Sequence, residues 1–315
     1  RVTEERSYLL GDGVSGWRKA MPRPLFPSLG NDESKQKGVV SAQPANFLIA
    51  IFLLFFSVGL GTVTTQAATT KGLVGYWNFD EGVGAAAKDL SGNDNTGILT
   101  NGASWQVGKI GYALSLNGQD QYVEIPHADS LNISNEFSIS AWFNNRALSD
   151  ARLSDPEFHI IASKGWAPDA GGSWTLAWDK KSNDISFCVR KVSDKGYECV
   201  FADVQVGGNE WHHITGVLYK GKLSLYIDGS LAAKAIALGA DAMFTNREDV
   251  RIGAVSQEAS KFLQGWDGLI DEVQIFNRAL SESEIKAMVQ DIASSQTTTT
   301  ESGTMSVTSS ASAAG

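Results

Sequence analysis

The sequence predicts an all-β fold, a two-sheet antiparallel sandwich closed by one short helix. Three observations carry that expectation. Short runs of alternating apolar and polar residues recur between residues 73 and 276. Glycine is abundant, 32 of 315 residues, and falls between those runs where tight turns are needed. Helical periodicity is confined to one stretch close to residue 285. There is no strand–helix–strand alternation, no glycine-rich phosphate loop and no repeat period.

The elements follow in order. Residues 73–79 read LVGYWNF and 121–125 read QYVEI. In 137–143, FSISAWF, residues Phe137, Ile139, Ala141 and Phe143 share one face, and Ser138, Ser140 and Trp142 the other. Residues 173–178, 185–190 and 197–202 continue the pattern. The last two flank Ser193–Gly196 as a hairpin. A turn centred between Ser193 and Asp194 sets Cys188 opposite Cys199, as a cross-strand disulfide or as two buried thiols. Residues 211–219 and 222–227 are joined by Lys220-Gly221, and Asp228-Gly229 marks the next tight turn. Residues 250–254 and 266–276 complete the strands. In LSESEIKAMVQDIA, Ser281 is an N-cap and Glu284 its partner in a capping box. Ile285, Met288, Val289 and Ile292 form the apolar stripe of that helix.

Four regions differ in character. Residues 1–45 show no periodicity, and Pro22, Pro24 and Pro27 oppose a helix there. Residues 46–68 form a signal peptide or a membrane anchor. Within them 46–61, NFLIAIFLLFFSVGLG, carry no charge. That run is short for a span of about 20 residues and is followed by small residues, with Lys35 and Lys37 before it. Cleavage after Met21 initiation, close to Ala67 or Ala68, and an uncleaved anchor both remain open; either exports the body to a secreted or cell-surface location. Residues 72–292 are the sandwich. Residues 293–315 are a Thr/Ser-rich linker or tail with too little apolar surface for a core, as if leading to a further module. Net charge is -9, and residues 72–292 carry 29 acidic against 18 basic side chains. This excludes a nucleic-acid partner bound through its phosphates.

Six separated strings carry a family resemblance. They are GLVGYWNFDEGVG, DLSGNDNTGIL, GKIGYALSLNGQDQYVEIPHADSLNISNEFSISAWF, EWHHITGVLYKGKLSLYIDGSLA, RIGAV and GLIDEVQIFNRALSESEI. In this order, over residues 72–290, they resemble the laminin G-like, concanavalin A-like lectin/glucanase jelly-roll family. The resemblance implies a jelly-roll sandwich and a mostly non-catalytic module that binds a glycan or a surface protein; the alternative is a purely structural module of a larger surface protein or assembly. The segment Asn145–Glu157 departs from the family's direct run to the next strand and is expected to decorate a loop.

The resemblance also implies a structural calcium ion. Hard cations take six to eight oxygen ligands, and Asp80, Asp89 and Asn93 cluster in oxygen-rich loops. Relatives join such a loop to an acidic residue of the last strand, here Asp271. The alternative is that Asp89 and Asn93 cap their own turn. Related glycosidases carry E-x-D-x-x-E on one strand, which is absent here. Asp271 and Glu272 are adjacent, hence expected on opposite strand faces and unable to act as a carboxylate pair. His212 and His213 are read the same way, as packed or turn-bonded residues. Sugar recognition wants exposed aromatic platforms. Trp166 lies in a Gly/Pro-rich loop. Trp174 and Trp178 share one strand face, either as an exposed stacking strip or as core.

Overall fold

The computed structural model describes residues 70–146, 158–165, 172–179, 182–193, 196–203, 208–237, 242–255 and 265–290. Regions 1–45, 46–68 and 293–315, Trp166, and the insertion from residue 147 to 157 lie outside the described residues. Among the described residues no helix is long and apolar enough to cross a membrane.

Two antiparallel sheets form the sandwich. The first contains β1 (Leu73–Trp77), β4 (Ser104–Val107), β5 (Tyr112–Asn117), β7 (Phe137–Asn145), β12 (Trp211–Tyr219), β13 (Lys222–Ile227), β14 (Ser230–Ala237) and β16 (Asp267–Phe276). Its order is β14-β13-β12-β7-β16-β5-β4, with β1 also paired to β16. The second contains β2 (Ala86–Ala87), β3 (Gly97–Thr100), β6 (Tyr122–Ile125), β8 (Phe158–Lys164), β9 (Trp174–Asp179), β10 (Asp184–Arg190), β11 (Tyr197–Asp203) and β15 (Val250–Ile252). Its order is β11-β10-β9-β8-β15-β6-β3-β2.

The period-two patterning decides which side chains meet between the sheets. Phe137, Ile139, Ala141 and Phe143 of β7 enter the core with Trp77, Phe187 and Trp266. Each such side chain, fully buried, contributes roughly 1.5–3 kcal/mol. Gly216 on β12 lets the sheets approach: a Cβ there would stand 2.6 Å from the Phe187 ring. The outer face of the first sheet is covered at one end by the helix over residues 282–290, where Phe276, Leu280, Ile285 and Val217 pack together.

The capping box forms as expected. Ser281 Oγ accepts from the Glu284 amide at 3.3 Å, and Glu284 Oε2 accepts from the Ser281 amide at 2.8 Å. Arg278 adds a forked pair to both Glu284 oxygens, at 3.1 and 2.7 Å, and these donors hold that carboxyl down to about 2.

Some strands escape the sequence pattern. β2, β3, β4 and β5, together with β8 and β14, are not expected from it. β4 is a four-residue edge strand that is largely exposed, so it has no buried face to mark it. β14 is alanine-rich and pairs through irregular register, which blurs its alternation.

The β10–β11 hairpin has the expected register, with Cys188 opposite Cys199, and the two form a disulfide across a sequence separation of 11. Both are nearly buried. Reduction should lower the melting midpoint by roughly 5–10 °C, from a loss of about 2–4 kcal/mol. Calorimetry with and without reductant checks this, and an unchanged midpoint in Cys188→Ala/Cys199→Ala would remove the assigned role.

Candidate functional site

β1 has a partner on one side only. Its free edge therefore exposes backbone groups that need other partners. The turn over residues 89–95 supplies them. Asp89 Oδ1 accepts from the Tyr76 amide at 2.9 Å, the Leu90 amide donates to the Tyr76 carbonyl at 2.8 Å, and Asn95 Nδ2 donates to the Val74 carbonyl at 2.7 Å. Asp89 also organises the turn itself. Its oxygens accept from the Ser91 amide, Ser91 Oγ and the Asn95 amide, all at 2.8–2.9 Å. Asn93 Nδ2 donates to Ser91 Oγ at 3.0 Å.

A second acidic group sits on the outer face of the first sheet. Along β16 the neighbour changes from β5, paired through Ile270, to β1, paired from Val273. At that handover the register to β7 shifts between Asp271 and Gln274, and Glu272 takes a left-handed φ of 51°. This bulge corrects the expectation of simple strand alternation at Asp271 and Glu272. Asp271 Oδ2 accepts from the Lys109 and Ile110 amides at 2.9 and 3.1 Å, and Oδ1 from the Glu272 amide at 2.8 Å. Glu272 Oε2 accepts from the Tyr76 hydroxyl at 2.7 Å. Asp80 completes the group: Oδ1 accepts from the Tyr112 amide at 2.8 Å and Oδ2 from Asn78 Nδ2 at 2.7 Å. Lys109 Nζ stands 4.6 Å above the Trp142 ring, which in turn meets His213 with centroids 5.2 Å apart.

The four residues expected to hold calcium are thus divided between these two groups. Asp89 and Asn93 serve the 89–95 turn, while Asp80 and Asp271 serve the connection before β5. Their carboxylate oxygens already accept from protein donors. Among the described residues no group of three or more His, Cys, Asp or Glu side chains could hold a metal ion. These four residues, split between two groups and engaged by N–H donors, do not fit a single calcium shell.

The aromatic expectation divides differently. Trp174 and Trp178 are 2% and 0% exposed. Their shared face is the one packed against the first sheet, where Phe137 meets Trp174 at 5.2 Å, so neither presents a stacking surface. The two histidines take structural contacts. His212 Nδ1 lies 2.9 Å from Asp228 Oδ2, and the His213 amide donates to Asp228 Oδ1 at 2.8 Å. Burial drives the His213 imidazole down to about 4, against the opposing pull of Asp228.

An open cleft of about 550 Å³ lies at the end of the first sheet where β1 and β7 start and β16 ends. The cross-strand row Leu73, Phe276, Ser138 brings those ends together. Val74, Asn93 and Asn277 line it together with the loop from Asp129 to Glu136. Asn95 ties the parts from beneath, donating to the Val74 carbonyl and, at 3.0 Å, to Ser130 Oγ. Sequence reasoning found Asn93 but not the others. The amide-rich run Asn132–Asn135 was a visible signal, but Asn277 joins it only through strand pairing.

A family model described as the concanavalin A-like lectin/glucanases superfamily matches residues 117–286. No curated protein sequence matches the chain. Among solved structures, the binding domain of Paraclostridial Mosquitocidal Protein 1 superposes with a TM-score of 0.55 at 17% identity, over 70% of this chain and 52% of that one. Domain 4 of AbnA, a GH43 extracellular arabinanase from Geobacillus stearothermophilus, in complex with arabinotriose, gives 0.52 at 21% identity, over 70% and 98%. The botulinum neurotoxin serotype D ligand binding domain, in complex with N-acetylneuraminic acid, gives 0.53 at 16% identity, over 70% and 51%. The chain spans about half the length of these toxin domains. At such identities the likeness is one of fold: a jelly-roll sandwich of the lectin-like kind.

The buried pair on β16 generates a pH test. Burial pushes Asp271 up to about 8 and Glu272 up to about 7, overcoming the hydrogen-bond donors that favour the ionised forms. A carboxyl raised in the fold contributes stability that is full below its ordinary value and is lost as pH rises through the folded one. For Glu272 that window runs from 4.5 to about 7. Glu272→Gln keeps an acceptor for Tyr76 and removes the charge. It should melt close to the parent at pH 5 and roughly 3–6 °C above it at pH 8.5. Parallel pH profiles for the two proteins would contradict the assignment.

Proposed function

The chain belongs to the concanavalin A-like lectin/glucanases superfamily, and from that membership we propose that it is a non-catalytic recognition module acting outside the cytoplasm. Its partner is a carbohydrate or a glycan-bearing surface protein. The open amide-lined cleft carries this reading, because it is a concave polar surface held by backbone and side-chain hydrogen bonds. The neighbours in complex with arabinotriose and with N-acetylneuraminic acid support it by analogy of fold. A catalytic reading is disfavoured by what these carboxylates do. Asp271 and Glu272 are buried, Asp271 accepts from three backbone amides, and Glu272 Oε2 accepts from the Tyr76 hydroxyl. The disulfide accords with export to an oxidising compartment, secreted or at the cell surface.

Calcium enters this proposal only as a test. The first and last strands are joined directly by the hydrogen bond from the Tyr76 hydroxyl to Glu272, while Asp89 and Asp271 are engaged by backbone amides on either side of it. A chelator should therefore leave the melting midpoint unchanged. A rise of several degrees on adding calcium would restore the metal expectation. The function itself is tested on a glycan array probed with the full chain, with and without calcium. Binding to a defined set of glycans is expected. A silent array, with capture of one specific surface protein independent of its glycans, would overturn carbohydrate recognition.

A further inference from the structure

We propose that the cleft bounded by β1, the Asp129–Glu136 loop and Asn277 takes a short neutral oligosaccharide and rejects sialylated glycans; this rests on the recognition reading above. The lining chemistry argues for polyols. Asn135 and Asn277 are exposed and each offer an amide that donates and accepts, matching hydroxyl groups that do both, with Asn93 and Asn132 beside them in the lining. Val74 and Ile133 place apolar surface in the same cleft, where the C–H face of a sugar ring can rest. The volume of about 550 Å³ falls within the range of small-molecule sites.

Charge sets the exclusion. Among the described lining residues the ionisable ones are Asp129 and Glu136, both acidic, and none is Lys or Arg. A carboxylate-bearing sugar would meet the two negative charges of that lining. The site is also preorganised. The Asn132 amide donates to the Asp129 carbonyl at 3.1 Å, the Met243 amide to the Ser134 carbonyl at 2.9 Å, and the Asn277 amide to the Gly72 carbonyl at 2.8 Å. Binding therefore costs little loop ordering.

Titration calorimetry on the full chain, using arabinotriose, maltotriose and 3′-sialyllactose, tests this. At least one neutral trisaccharide should bind and sialyllactose should not. Asn135 and Asn277 are exposed, so Asn135→Ala/Asn277→Ala should weaken that binding about tenfold at an unchanged melting midpoint. Glu136→Arg should admit sialyllactose. Neutral-sugar binding that survives the paired alanine variant would place the site elsewhere and overturn this inference while leaving glycan recognition intact. Sialyllactose binding by the parent chain would overturn it too. A silent array together with no binding of any of the three probes would remove both readings.

Discussion

The buried carboxylate of Asp271 sits where β16, the longest of the described strands, changes neighbours. β16 is flanked by β7 throughout, but its other side is shared between β5 and β1. At the changeover no strand is available to pair the local amides. Three of them, from Lys109, Ile110 and Glu272, point instead at one carboxylate. This places the connection before β5 against the sheet and fixes the bulge. The bulge then aims Glu272 at Tyr76, so the first strand is held by the same few residues. An aspartate here does what a missing strand would do, which explains why its burial is tolerated.

The same logic explains Asp89. A strand paired on one side only has an open edge, and open edges invite association with other chains. The 89–95 turn covers it with an aspartate, an asparagine and a backbone amide. Acidic loops of this kind resemble metal sites when read as a list of oxygens. They differ once the donors are known, because an oxygen surrounded by N–H groups is already engaged. The turn that closes the β1 edge also forms one wall of the cleft, so edge protection and the cleft share residues. Asn93 belongs to both.

Much of this architecture was legible in the chain. The alternation in FSISAWF assigned Phe137 and Phe143 to the core and Ser138 to the outer face. The hairpin centred at Ser193 paired the two cysteines, and the Ser281–Glu284 spacing marked the helix start. What escaped had a common cause. Strand periodicity is a local signal, whereas the handover at Asp271 depends on which distant strands flank β16. A positive φ at Glu272 has no signature in a residue that normally avoids it. Trp174 and Trp178 were assignable to one face, but their identity as core followed only from which face meets the other sheet. The cleft shows the same limit: the Asn132–Asn135 run was visible, and its meeting with Asn277 required the row Leu73, Phe276, Ser138.

That row also governs how the domain bears tension. Leu73 opens β1 and Phe276 closes β16, and the two lie directly opposite one another. Arg278 Nε reaches the Lys71 carbonyl at 2.6 Å just outside the pair. A pull between residues 71 and 277 therefore acts at the same end of two antiparallel strands. Their hydrogen bonds are loaded in succession, as a zipper is opened, rather than together as in a shear. Yielding begins at the rim of the cleft: separating Gly72 from Asn277 detaches one wall before the core of the sandwich feels the load. A ligand spanning that rim would act as a mechanical clasp, and tension on the domain would in turn loosen its grip.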